Sequence, residues 1–468
     1  MIEAQVVVED GLTAAARAGA DGCIILVDEI SHADVRFALN TTTTNGVRRD
    51  RSVTVVVVVG QAAGVARRSG AVDLDEMVSA ALNDAREFPP ADDAFSLVDG
   101  VGDSTAAAVA AFSVAPLETD VSVLATVLSG LSGAFNRARQ RDAVLAGFAE
   151  YGISTLYLGN SAGVRLSFSQ PTGAVNLVGR TVDGTGSAWT GAPSITPSFD
   201  QMEGEIWRRL DWSRRAIPLE PGRYEVILPP SGVADMMGSL FFHAMGGQDA
   251  EDGRTVFSAD GLGTRLGQEL SAVPFTLYSD PSEAGVECMP FVAAGSSSAE
   301  ASVFDNGLPL GRTDWIRDGR LAQLRYHRAG AARSGVRVAP YIDNLVLRTG
   351  TSVSESEGDA GSIDDMVART ERGLLLTCLW YIREVDPATL LMTGLTRDGV
   401  YVIEDGVVVG SANNFRFNES PVDLLARATE VGTPERTLGR ELGEYLNRVI
   451  MPPLRIPDFN MSSVSQAS

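Results

Sequence analysis

The chain has 468 residues, of which 44% are hydrophobic, and this is enough apolar material for two domains with proper cores. It carries 60 acidic and 38 basic residues, a formal net charge of −22, which argues against nucleic acids and anionic membranes as partners. All 38 basic residues are Arg, so a P-loop lysine and a Schiff-base lysine are excluded.

The cysteine spacing and the N-terminus indicate the compartment. Cys23, Cys288 and Cys378 lie far apart without a CxxC pair, which predicts neither a disulfide framework nor a zinc knuckle. We expect them to be buried thiols in a reducing compartment. The first residues are acidic, and no run approaches the ~18 apolar residues of a membrane span. These patterns predict a cytoplasmic protein.

The first residues predict a helix over 5–18, which Gly19 stops. Strand-like runs follow at 23–27, 34–39, 52–59 and 64–68. Asn45-Gly46 predicts a tight turn between two of these runs. The run 53–59, which is valine except for Thr54, does not alternate with polar residues and indicates a strand covered on both faces.

Helices and a meander complete the N-terminal part. The segment 73–87 predicts a helix with an Asp cap and with Pro89-Pro90 after its end. The acidic, Ala-rich segment 91–111 predicts a surface connection, and the longest helical pattern spans 117–141. Strand patterns joined by short turns come next, at 143–151, 154–158, 164–169, 174–182 and 187–191. This order predicts a meander, followed by a helix over 201–214.

The most linker-like stretch is 217–222, so we place a domain boundary after residue 220. Residues 1–220 are then a mixed α/β domain and 221–468 a β-rich domain with a few helices. In the second domain we expect a strand at 224–228 and a hairpin over 399–409 around Glu404-Asp405-Gly406. The sequence also predicts an exposed loop at 350–361 and a helical turn at 363–369.

The stretch 233–257 carries the strongest candidate site. Apolar residues recur there at helical spacing, at Val233, Met236, Met237, Leu240, Phe241 and Ala244. The spacing predicts a helix with one apolar face, stopped by Gly246-Gly247. His243 stands at its end, before the acidic residues Asp249, Glu251 and Asp252. A histidine beside carboxylates makes a metal site worth considering.

Short motifs along the chain resemble those of a known family. They are Asn160-Ser161-x-Gly163, Pro221-Gly222-x-Tyr224, Trp315-Ile316-x-Asp318-Gly319 and Ile403-Glu404-Asp405-Gly406-Val407. With the helix, they resemble the TldD/TldE family, also called PmbA or modulator of gyrase. The resemblance implies an α+β fold, with an N-terminal mixed α/β domain and a barrel-like C-terminal domain. In that family two chains close around an internal cavity.

The family's TldD subunit carries an HExxxH motif, and this chain departs from it. Matched back from Thr255, Gly238 falls on the first histidine, Ser239 on the glutamate and His243 on the second histidine. A zinc peptidase helix needs two imidazoles and a carboxylate as general base. Only one of these groups is present, and no cysteine follows Cys378 to match the family's late Cys ligand. The resemblance therefore implies a TldE-like subunit, and we assign no catalytic, metal or cofactor residue in this chain.

The function implied is that of a subunit in a heteromeric TldD/TldE metalloprotease, acting on peptides or unfolded polypeptides. Zinc is expected in the TldD-like partner, and a homodimer is possible without that partner. Two alternatives stay open. One is a non-enzymatic interaction protein that modulates another protein, as the gyrase-modulator name implies. The other is an independent serine hydrolase that uses Ser161.

Several local motifs carry simpler interpretations. Ser161 lies in a GxSxG sequence, but a nucleophile elbow precedes a helix and the residues after Gly163 alternate, so we predict a β-turn. The segment 261–267 resembles a dinucleotide loop with its spacing off by one, and we expect a plain loop. For His243 we expect a hydrogen bond to the acidic loop, and for that loop a solvated surface, since calcium-loop spacing is missing. His32 and His327 have no companion motif.

Overall fold

The N-terminal half, up to residue 212, is one antiparallel sheet with helices packed on it. The computed structural model describes residues 3–99, 110–261, 263–350 and 361–465. The strands are β1 (Gly22–Ala38), β2 (Thr41–Val59), β3 (Ala62–Ser69), β4 (Ala143–Asn160), β5 (Arg165–Thr181) and β6 (Ser187–Ala192). The order is β3-β2-β1-β4-β5-β6, so each pairing joins sequence neighbours except β1 with β4. The helices are α1 (Ala4–Ala18), α2 (Leu74–Glu87), α3 (Ala125–Gln140) and α4 (Phe199–Trp212).

Both faces of the sheet are covered at the valine run of β2, as predicted from the sequence. Val53, Val55 and Val57 pack with α1 and α2, while Val56 and Val58 pack on the other face with apolar residues of the C-terminal half. The predicted first two helices, with Gly19 and the Asp73 cap, are confirmed. Asp73 accepts a hydrogen bond from the Glu76 backbone N–H. The predicted meander is also confirmed, although the paired short runs form the single long strands β1, β4 and β5.

The predicted turn at Asn45-Gly46 is wrong, because both residues pair with β1 inside β2. The chain turns instead at Leu39 and Asn40, whose φ angles of 51° and 58° are left-handed. Asn40 explains this position: its side chain accepts from the Leu145 N–H at 2.7 Å and donates to the Ala143 carbonyl at 2.8 Å. The two bonds tie the turn to β4, which a propensity rule for Asn-Gly cannot anticipate.

Two connections also differ from expectation. In the predicted surface connection 91–111, Asp93 and Val98 are buried, and Asn160 Nδ2 donates to the Val98 carbonyl at 2.8 Å. Residues 100–109 of that connection lie outside the described residues. The helix predicted over 117–141 starts only at α3, after a turn of 3-10 helix at Val121–Leu124 that Asp120 caps.

The C-terminal half contains two sheets. The first has the order β10-β9-β8-β11-β20-β19. Its strands are β8 (Phe275–Ser279), β9 (Thr313–Arg317), β10 (Arg320–Leu321), β11 (Leu345–Thr349), β19 (Glu435–Thr437) and β20 (Val449–Met451). The β11–β20 pair is parallel. Residues far apart in sequence are therefore neighbours in this sheet.

The other sheet is curled like a half-barrel. Its strands are β7 (Gly222–Leu228), β12 (Arg372–Leu376), β13 (Leu379–Asp386), β14 (Leu391–Thr396), β15 (Val400–Glu404), β16 (Val407–Ser411), β17 (Phe415–Glu419), β18 (Glu430–Val431) and β21 (Leu454–Val464). The order is β13-β14-β17-β21-β7-β12-β15-β16, and β18 pairs with β21. The predicted strand at 224–228 and the predicted hairpin, with its turn at Asp405-Gly406, are confirmed.

In the described part of this half, five helices accompany the sheets: α5 (Pro230–Ala244), α6 (Gly247–Glu251), α7 (Arg328–Ser334), α8 (Ile363–Ala368) and α9 (Pro421–Arg427). The predicted helical turn after residue 362 is α8, while the loop predicted before it falls mostly on residues 351–360, outside the described part. Within the described residues, no helix is long and apolar enough to cross a membrane. The fold class is mixed α and β, as expected.

Candidate functional site

The helix α5 is buried on nearly all sides, so the prediction of a single apolar face is wrong. Only Ser231, Phe242 and His243 escape full burial. The reason is that the helix lies in the main core of the C-terminal half, packed with residues of both sheets. Small residues permit this approach; a Cβ on Gly232 would stand 2.6 Å from Leu228 Cδ1. Pro230 in the first turn starts the helix.

Asp235 anchors a loop to the middle of α5. Its carboxylate is fully buried and accepts hydrogen bonds from the backbone N–H groups of Arg440 (3.0 Å), Glu441 (3.1 Å) and Leu442 (2.9 Å). Burial raises the pKa of Asp235 to about 7, although the three N–H donors act in the opposite direction. We call residues 438–446 the sealing loop, because they close over the helix at this point.

The sealing loop occupies the position where the resemblance places a first zinc ligand. A Cβ on Gly238 would stand 2.9 Å from Leu442 Cδ1 and 3.5 Å from Leu446 Cδ2, so a histidine side chain there would have to displace Leu442. Ser239, at the position of the general base, is buried and donates its hydroxyl hydrogen to the Asp235 carbonyl at 2.8 Å. Neither position can present a ligand or a base to a metal ion.

His243 is exposed, and its imidazole contacts the backbone of its own helix. Its Nδ1 lies 2.9 Å from the Ser239 carbonyl oxygen, so the expected hydrogen bond to the acidic loop is wrong. The three acidic residues have other partners. Arg254 pairs with Asp249 and Asp252, and Tyr326 donates to Glu251 at 2.8 Å. The loop therefore belongs to a local network around α6 and is more than a solvated surface.

Zinc does not fit this chain at the family's position. Gly238 carries no donor, Ser239 uses its hydroxyl within the helix, and His243 stands alone. Throughout the part of the chain that the structure describes, no group of three His, Cys, Asp or Glu side chains could hold a metal ion. No catalytic step through a metal ion is derived for this chain.

A cavity of about 800 Å³ opens beside the last turn of α5. Phe242 lines this cavity. Phe242 lies one turn after Gly238 on the same side of the helix. Both halves of the chain contribute walls. Ile30, Ile153, Gln170 and Thr172 come from the first sheet, and the C-terminal half adds the segment 289–305 together with Arg325, Tyr341, Asp343 and Arg448. No sequence motif marks this site, because its walls come from segments that are distant in the chain.

Arg325 is a buried charged group of the cavity wall. It is 3% exposed, its Nη2 lies 2.7 Å from Glu300 Oε2, and the same nitrogen donates to the Phe242 carbonyl at the end of α5. Burial lowers the pKa of Arg325 and raises the pKa of Glu300, and the ion pair opposes both shifts. A guanidinium at a helix C-terminus also complements the helix dipole.

The remaining predicted residues have structural roles. Ser161 lies in the turn between β4 and β5, where its Oγ accepts from the Cys23 N–H at 3.0 Å; the strand β5 follows, so the predicted β-turn is confirmed. All three cysteines are buried and free, as expected. His327 caps α7 by accepting from the Gly330 N–H, and His32 lies 3.6 Å from Glu150.

One family of known proteins matches the C-terminal half of this chain in sequence. A sequence profile described as the PmbA/TldA metallopeptidase C-terminal domain matches residues 221–463. Direct comparison with curated protein sequences gives no match.

Three solved structures share the fold over nearly the whole chain. TldE from Thermococcus kodakarensis superposes with a TM-score of 0.77 at 17% identity, covering 97% of this chain and 99% of that chain. A protein from Thermotoga maritima, described as a modulator of a DNA gyrase, gives 0.73 at 12% identity, with 97% and 98% covered. One from Bacteroides thetaiotaomicron, described in the same way, gives 0.73 at 13% identity, with 99% and 100% covered.

Proposed function

Because the chain belongs to the TldD/TldE (PmbA) metallopeptidase family, we propose that it is the TldE-like subunit of a two-chain peptidase. The observation that carries this proposal is the closed middle of α5. Gly238 and Ser239 hold no zinc-binding or basic group, and the sealing loop packs over them. A chain with this fold and without the catalytic groups fits a supporting subunit better than a self-sufficient enzyme.

In the proposed complex the two chains have separate tasks. A TldD-like partner supplies the HExxxH helix, the zinc ion that it holds and the general base. This chain supplies one wall of the chamber and part of the surface that holds the peptide. The substrates are peptides or unfolded polypeptides, and we place the complex in the cytoplasm.

The test is peptide cleavage by four combinations of wild-type and mutant chains at equal complex concentration. We expect no cleavage by this chain alone, and cleavage that a chelator abolishes after the TldD-like partner is added. Replacement of the glutamate in the partner's HExxxH motif should abolish turnover, because the general base lies there. No cleavage by any combination, with the complex formed, would favour a pure interaction protein.

Ser161→Ala tests the serine hydrolase. Its hydroxyl accepts a backbone hydrogen bond, so the substitution should cost about 1 kcal/mol of folding free energy and leave the rate of the complex intact. A loss of several orders of magnitude in rate, with the complex still formed, would instead identify Ser161 as the nucleophile.

The metal content of the purified chain gives a second test. We expect far less than one zinc ion per chain after dialysis, because the donor set at α5 is incomplete. Elemental analysis is the measurement. About one zinc ion per chain, lost in His243→Ala, would contradict the proposal.

Association gives a third test. A chain that closes a chamber needs a large interface, and obligate interfaces often exceed ~2,000 Å². We expect a heteromer with the partner and a homodimer without it. Light scattering at micromolar concentration is the measurement, and a species of only 49.4 kDa under both conditions would contradict this assembly.

A further inference from the structure

The cavity beside Phe242 has the walls of a site for an apolar group. Its volume of about 800 Å³ lies in the range of about 300–1,000 Å³ that is typical of small-ligand sites. Six large apolar side chains line it: Ile30, Ile153, Phe242, Met289, Phe291 and Leu310. Residues 295–299 at one wall are exposed. A ligand can therefore reach this space from solvent.

Two aromatic rings form part of the wall. Phe242 and Tyr341 are stacked, with ring centroids 6.4 Å apart and an angle of 18° between the planes. Both side chains are only half-buried although they border the main core. They therefore leave ring surface on which an apolar or aromatic side chain of a ligand can pack.

The charged side chains of the wall already have partners of opposite charge. The pairs are Arg325–Glu300, Arg448–Asp343 and Arg328–Asp305, each with a nitrogen to oxygen distance of 2.7 Å. Arg448 Nη2 also donates to the Thr172 hydroxyl. A charged ligand would lose its hydration without gaining a free counter-charge, which is unfavourable. The wall thus selects an uncharged group.

Two buried polar atoms in the wall have no hydrogen-bond partner within the described residues. They are Arg325 Nε, a donor, and Gln170 Oε1, an acceptor. The amide nitrogen of Gln170 faces the carbonyl oxygens of Pro171 and Glu287, at 3.3 and 3.4 Å, and this sets the orientation of the amide. One donor and one acceptor match the carbonyl oxygen and the N–H that a peptide backbone offers.

We propose that this cavity binds an uncharged, apolar segment of a peptide. A backbone carbonyl oxygen accepts from Arg325 Nε, an N–H donates to Gln170 Oε1, and an apolar side chain packs on Phe242 and Tyr341. This inference rests on the proposed function and names the part of the substrate that this subunit holds. In this proposal the TldE-like subunit selects the peptide, and the partner subunit holds the zinc ion.

The test uses the full chain and a fluorescent derivative of acetyl-Leu-Phe-Leu-Phe-amide, with binding followed by fluorescence anisotropy. Peptides of the same length with Asp or Arg in place of Phe are the comparison. We expect the apolar peptide to bind at least tenfold more tightly than either charged peptide. Equal binding of all three peptides would overturn the proposal.

Two variants locate the binding. Ala301 lines the cavity, so Ala301→Phe should fill the space and weaken binding at least tenfold. Arg325→Lys keeps a positive charge beside Glu300 but removes Nε, and should weaken binding about tenfold. Phe88→Ala is the matched control, because Phe88 is 55% exposed at the end of α2, outside the cavity wall, and should leave the affinity unchanged. Circular dichroism confirms that each variant is folded.

The outcomes separate this inference from the proposed function. If Ala301→Phe binds the peptide as well as the wild type, the cavity is not the site and the inference fails. If the two-chain complex cleaves peptides with the same sequence preference when this chain carries Ala301→Phe, the inference fails and the proposed function stands. If the peptide binds as expected but no complex forms with a TldD-like chain, the proposed function fails and the cavity remains a peptide site.

Discussion

The middle and the last turn of α5 differ in what covers them, although they share one side of the helix. In the middle, Asp235 and Gly238 lie under the sealing loop and are fully buried. One turn later, Phe242 borders a cavity of about 800 Å³. The comparison teaches that neighbouring turns on one side of a helix can have opposite surroundings. The middle of α5 is closed by a loop, and its last turn borders open space.

The largest expected effect concerns the anchor of the closed region. The pKa of Asp235 is about 7 in the folded chain against an ordinary 3.8, so the fold favours the protonated form. Its stabilising contribution is fully present below pH ~4 and is lost as the pH rises through 7, by about 3 kcal/mol between pH 5 and pH 8. The measurement is denaturant unfolding of the wild type and Asp235→Asn at both pH values.

The difference in pH dependence between the two proteins isolates this residue, since the other groups titrate alike in both. We expect the free energy of unfolding of the wild type to fall more steeply with pH. Equal slopes would show that the three backbone N–H donors keep Asp235 ionised in the fold, and that burial does not control the anchor.

A smaller effect is expected from an attempt to restore the first ligand. Gly238→His should destabilise the chain by about 2 kcal/mol, because the imidazole collides with Leu442 and Leu446. Gly204→His is the matched control: Gly204 also lies in a helix, α4, and a Cβ there meets nothing within 4 Å. The control should stay within about 0.5 kcal/mol of the wild type. Thermal unfolding with and without zinc is the measurement, and zinc-dependent stabilisation of Gly238→His would show that the loop yields to a ligand.

The smallest effect is expected at the exposed end of the helix. Among the described residues, His243 bonds only to the Ser239 carbonyl, so His243→Ala should change the free energy of unfolding by less than about 0.5 kcal/mol. Cleavage by the two-chain complex should stay within about twofold. A loss of several orders of magnitude in the cleavage rate would show that this histidine has a catalytic role. The last turn of α5 would then take part in catalysis and not only in ligand binding.

Local features of the fold could be predicted from the sequence, because their causes lie in neighbouring residues. The Asp73 cap, the valine strand and the Asp405-Gly406 hairpin depend on adjacent side chains and backbone angles. The turn at Leu39-Asn40 could not be placed, because contacts with β4, about a hundred residues later, determine it. The parallel pairing of β7 with β12 is non-local in the same way.

At the candidate site, too, local features could be predicted from the sequence and non-local contacts could not. The sequence alone indicated that Gly238 and Ser239 bring no ligand, because that is a matter of residue type. The sealing loop and the cavity could not be predicted from the sequence. Folding brings Leu442 to Gly238 and Tyr341 to Phe242, although these residues are distant in the chain. The cavity is lined by Ile30, Phe242 and Arg325, which lie far apart in the sequence. No sequence motif therefore connects them.

The three buried thiols described above have a consequence for experiments on dynamics. Cys23 lies in β1, Cys288 next to the cavity residue Met289, and Cys378 between β12 and β13. Burial raises the pKa of each thiol, to about 12 for Cys23 and Cys288, so each is protected until its region opens. The rate of native-state alkylation at each cysteine therefore reports local unfolding of a different part of the molecule. A ligand seated in the cavity should slow the reaction at Cys288 and leave the rate at Cys23 unchanged.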